Sequence, residues 1–167
     1  MNRDFPYNTH ESNCMNTIGG RLIYKLFEAN LFVSAITFHG GTNVIGYPWG
    51  SNNHLLSEYV AKEAPDHFAF DLMGRAMSEA AGRDITLLYT TSPIKEYVVG
   101  DMTSTVYPVG GGFEDWAYGA GWDHASDAIV KRCNPWSYTL ADDFMSADIS
   151  HVRCAVYLIE TDASKAV

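Results

Sequence analysis

The chain is short of several things that would have pointed to a function at once. Only three of its 167 residues are cysteine, Cys14, Cys133 and Cys154. No two of them form a C-x-x-C pair, which argues against a thiolate zinc site. No Lys/Arg cluster occurs and the net charge is −9, which argues against nucleic acid as a partner. No apolar run is long enough to span a bilayer, so the chain carries no membrane segment. A recognisable signal peptide, an N-x-Ser/Thr acceptor, internal repeats and low-complexity tracts are all lacking. There is no H-x-x-E motif. His54 is followed by Glu58 at the wrong spacing, and His124 is followed by Asp127, the wrong acid.

What is present is an ordinary globular composition, 47% hydrophobic and 19% charged, with a length that suits one domain. The segment through Asn16 is polar and irregular. Leu22, Ile23, Leu26 and Phe27 form a helical apolar face, and Asn30 is a plausible stop. Residues 31–38 are β-prone and nearly continuously apolar, the pattern of a strand buried on both faces. Residues 46–54 carry the glycine, proline and asparagine of a loop. Pro65-Asp66 opens a second helix in which Phe68, Leu72, Ala76 and Ala80 share a face, with Gly82 at its end. Ile85–Tyr89 is a short strand candidate, 107–123 an ordered loop, and 152–159 a last, mostly apolar strand. Helices alternating with strands give an α/β class. His39 and Glu160 stand at the ends of buried strands, the sheet edge where ligands bind in open α/β folds. A lone histidine there is more often structural than a ligand.

Five segments change that balance. They are Asn2-Arg3-Asp4-Phe5-Pro6-Tyr7, Thr37-Phe38-His39-Gly40-Gly41, Tyr47-Pro48-Trp49-Gly50, the run Tyr107 to Tyr118, and Tyr157-Leu158-Ile159-Glu160. In order and in most spacings they resemble the M14 zinc metallocarboxypeptidases, over residues 2 to about 160. The resemblance implies part of a mixed-sheet α/β/α catalytic domain that removes C-terminal residues from peptides, using Zn2+. It implies that His39 is a zinc ligand, that Asn2 and Arg3 grip the substrate's terminal carboxylate, and that Tyr107 is a mobile tyrosine closing over it. Arginine suits such a grip because its planar fork matches a carboxylate. It further implies that Glu160 is the general base that activates zinc-bound water. The stretch between Trp122 and Ser150 is longer than in the digestive enzymes, which leaves Asp123 and Asp127 as alternatives for that base. Glu114 falls where the family lines the pocket for the last side chain, and an acid there suits C-terminal Lys or Arg.

The first zinc motif and the upstream arginine of the family have no counterpart. Residues 1–167 therefore read as the C-terminal portion of one catalytic domain, opened at Met1 by an internal methionine or by a cut. Two function classes follow: a peptidase of which this is part, or a non-catalytic protein that binds peptide ends. The resemblance also implies a secreted or lumenal setting, strained backbone after His39 at Gly40-Gly41, and a cis bond at Pro48–Trp49. With both cysteines flanking the long insertion, it points to a Cys133–Cys154 disulfide.

Overall fold

A computed structural model describes residues 3–10, 13–81, 96–119 and 154–161. Asn2, the strand candidate at 85–89, Asp123, Asp127 and Cys133 lie outside the described residues.

The scaffold is a mixed four-stranded sheet in the order β1-β6-β2-β5. Strand β1 (Ser34–Gly40) runs parallel to β6 (Ala155–Thr161), with Ser34 opposite Ala155 and His39 opposite Glu160. Strand β2 (Val44–Tyr47) is antiparallel to β6 and parallel to β5 (Val98–Asp101). A small second sheet pairs β3 (Leu55–Ser57) with β4 (Val60–Ala61). The α-helices among the described residues are α1 (Ile18–Ala29), α2 (His67–Ala81), α3 (Met102–Thr105) and α4 (Phe113–Gly119). The α/β class read from the sequence is thus present, with the mixed sheet it called for.

The segment before α1 is irregular as expected but is not solvated. Phe5, Tyr7, Cys14 and Met15 are all buried. The cause is Asp4, whose carboxylate accepts from Asn16 N at 2.7 Å, Thr17 N at 3.0 Å and Thr17 Oγ1 at 2.5 Å. Thr17 in turn caps α1 through Gly20 N at 3.0 Å. In α1 the apolar face is split: Ile23 and Phe27 join the core with Tyr24, while Leu22 and Leu26 stay more than half exposed.

Three sequence expectations need correction. Strand β1 is not buried on both faces. It is the edge of the sheet among the described residues, its residues alternate between exposed and half-buried, and Phe38 is 72% exposed. Helix α2 turns the Phe68–Leu72–Ala76–Ala80 face outward and buries Phe70 and Gly74 instead. The reason is Gly74, which lets the helix approach so closely that a Cβ there would lie 2.6 Å from Val99 Cγ1. The 46–54 loop and the 107–123 loop hide β2 and α4. Both are buried throughout, and both are too short for periodicity to reveal.

Candidate functional site

The site is assembled at the end of the β1–β6 pair. His39 is the penultimate residue of β1 and Glu160 that of β6, and they are direct register partners on neighbouring strands. Parallel neighbours lie about 4.8 Å apart, so imidazole and carboxylate share one sheet edge. Burial lowers the His39 pKa, the Glu160 charge raises it in part, and the Arg3 charge lowers it again. The unusual backbone expected after His39 is present at Gly41, whose φ of 158° is one that L side chains rarely adopt, and a Cβ there would also meet Glu160 Oε2 at 3.0 Å. Pro48–Trp49 is cis, as expected.

Arg3 and Tyr107 reach the same cleft through a backbone tie. Phe5 N donates to Gly111 O at 3.1 Å, and Gly111 N donates to Tyr7 O at 2.7 Å. These bonds lay the 3–7 segment against the loop after α3. The close approach requires glycine: a Cβ on Gly110 would sit 2.0 Å from Asn8 O, and one on Gly111, at φ 79°, would sit 2.7 Å from Arg3 O. Arg3 Nη2 then donates to Tyr107 Oη at 2.6 Å, with the guanidinium carbon 5.2 Å from the ring centroid.

Glu114 enters from the first turn of α4 and is only 3% exposed. Burial pushes its carboxyl above the usual carboxylate range, an effect offset in part by a hydrogen bond that its own backbone N–H donates to it and by the Arg3 charge. Its neighbour Asp115 holds the wall in place by accepting Gly50 N with both oxygens, at 3.0 and 3.1 Å. Thr103 N and Oγ1 both donate to Trp49 O, fastening the other side of the 48–50 turn.

Arg3, His39, Tyr107, Glu114 and Glu160 therefore line one cleft, over a floor that includes Met102 and Leu158. Sequence reasoning brought out the five polar residues and missed the apolar floor. Met102 could have been found only through its partner: Gly46 is glycine because a Cβ there would lie 2.1 Å from Met102 Sδ.

The expected Cys133–Cys154 bridge is overturned. Cys154 is free and buried, and burial pushes its thiol up to about 11. Cys14 is disulfide-bonded.

A cationic fork, an imidazole and a carboxylate thus converge at a strand-end cleft, the edge of an α/β sheet where ligands bind. Residues 1–141 match the model of the zinc carboxypeptidase family, Peptidase_M14, and the chain belongs to that family. It is also 33% identical over 124 residues to human mast cell carboxypeptidase A. That match covers 74% of this chain and 26% of the relative's length. The family match includes Arg3, His39, Tyr107 and Glu114 but stops before Glu160, whose case rests on its register with His39.

Proposed function

We propose that this cleft binds the C-terminal end of a peptide and that the chain is the C-terminal portion of a zinc-dependent metallocarboxypeptidase domain. The observation that carries the reading is the convergence of Arg3, His39 and Glu160 on one cleft, in a chain of the zinc carboxypeptidase family. Arg3, with Asn2 beside it in sequence, takes the terminal carboxylate. Tyr107 covers it, Glu114 meets the last side chain, and Glu160 takes a proton from the attacking water. A substrate ending in Lys or Arg would meet the buried Glu114 carboxyl with a charge-assisted hydrogen bond. The disulfide at Cys14 supports a secreted or lumenal compartment, where such bonds persist.

Zinc is a test of this reading rather than a given. A catalytic zinc needs about three protein ligands and one open position. Among the described residues no group of three or more His, Cys, Asp or Glu is placed to hold a metal ion. His39 supplies one ligand, and Glu160 could be a second only by ceasing to be a base. The described residues do not by themselves fit a catalytic zinc. The same shortage favours a second reading, a peptide-end-binding protein without catalysis.

Peptides ending in Lys, Arg, Leu or Phe, incubated with zinc, separate these readings. The 167-residue chain is expected to release nothing, and a version extended upstream to release terminal residues. Zinc-dependent release by the short chain refutes the ligand count. An extended chain that binds zinc and releases nothing refutes the peptidase reading in favour of the binding one.

A further inference from the structure

We propose that the outer edge of β1 is the interface of a homodimer, in which β1 pairs antiparallel with β1 of a second copy of this chain. This pairing does not depend on the peptidase reading. Among the described residues β1 has β6 on one side and no strand on the other, which leaves a row of backbone N–H and C=O groups facing outward. Such edges are usually protected by a lysine, a proline or a bulge. Strand β1 carries none of these. Its register with β6 runs unbroken from Ser34 to Gly40, and no Asp, Glu, Lys or Arg occurs anywhere from Ala29 to Ser57.

Charge, shape and area each make the second copy the occupant. A chain with a net charge of −9 repels its own copies, and a two-fold axis brings a strand against the same strand. A strand free of charge is where two copies can meet without like ions facing each other. On the same surface Phe38 protrudes, 72% exposed, beside an apolar hollow of about 560 Å3 between Phe5, Ile23, Ile36 and Phe113. One face thus carries both a knob and a hole, the self-complementarity that a two-fold contact demands. Leu31, Val33, Ile36 and Phe38 are all exposed, and together they present on the order of 500 Å2 of apolar surface. That matches the apolar share of a stable interface of roughly 800 Å2 per partner. The pairing uses β1 of both chains, so the assembly closes at two copies.

Sedimentation velocity on the full chain, from low to high micromolar concentration, is expected to show a monomer–dimer equilibrium. Hydrogen exchange is expected to show the β1 amides protected in the dimer and exchanging on dilution. Phe38→Lys sets like charges against each other and removes the ring from both copies, so the dimer should weaken by about 100-fold or more, with the denaturation midpoint of the monomer unchanged. If that midpoint falls, Ile36→Lys on the same face of β1 repeats the test. Leu72→Lys, which removes an exposed apolar side chain from α2 instead, should leave the dimer intact. A chain that stays monomeric at every concentration overturns the proposal. So does a dimer that survives both β1 substitutions in folded protein, or one that Leu72→Lys weakens equally. Protection of β1 in a monomeric, upstream-extended version, with the 167-residue chain also monomeric, overturns it in favour of an upstream segment as the occupant.

Discussion

At the scale of single residues, the site depends on side chains and glycines that never touch a ligand. Asp4 is buried and accepts three hydrogen bonds that close the loop ahead of α1. Asp4→Ala leaves two backbone N–H groups unsatisfied and is expected to cost about 2 kcal/mol, read as a lowered denaturation midpoint. Gly111 carries the positive φ that lets the loop lie against Arg3 O. Gly111→Ala meets strain of about 1–3 kcal/mol from that backbone conformation alone. Because the clash falls on Arg3 itself, the same variant should weaken binding of a peptide acid more than of its amide. Equal loss for both ligands would mean that the strain stays out of the cleft.

Among the elements, α2 tests whether the outward apolar face carries stability. Phe68 and Leu72 are 80% and 60% exposed. Leu72→Lys is therefore expected to change stability by no more than about 0.5 kcal/mol, measured by chemical denaturation. On the inner face the opposite holds. Gly74→Ala gains helix propensity of about 1 kcal/mol, but its Cβ meets the short, stiff Val99 side chain at 2.6 Å. Overpacking of this kind costs about 1–3 kcal/mol, so the net effect should be destabilising. A stabilised Gly74→Ala would show that α2 can lift off β5 freely. Both outcomes invert what the amphipathic pattern of the helix suggests when read in isolation.

For the molecule as a whole, cysteine and tyrosine chemistry report on the core. Cys154 is buried with a raised thiol pKa, so iodoacetamide at neutral pH should leave it unmodified until the chain is denatured, and Cys14 should appear in a disulfide-linked peptide. Tyr47 and Tyr157 are pushed up to about 12, chiefly by burial and secondarily by the Asp71 charge. A raised folded-state pKa favours the protonated phenol in the native state. Its stabilising contribution is complete below the ordinary value of 10.0 and is lost as pH climbs to about 12. Absorbance titration should thus show late tyrosine ionisation coinciding with alkaline unfolding, with one late step removed in Tyr47→Phe. Short-range pattern was enough to reveal α1, α2, the strands ending in His39 and Glu160, and the polar residues of the cleft, because local periodicity and linear motifs are properties of the chain itself. Which side of α2 faces the sheet, that β1 is an edge among the described residues, that β2 and α4 exist, and that Cys154 is free were decided only by tertiary packing. Each depends on how closely a distant backbone can approach, through Gly46 against Met102 or Gly74 against Val99, and such distances are not written in any window of neighbouring residues.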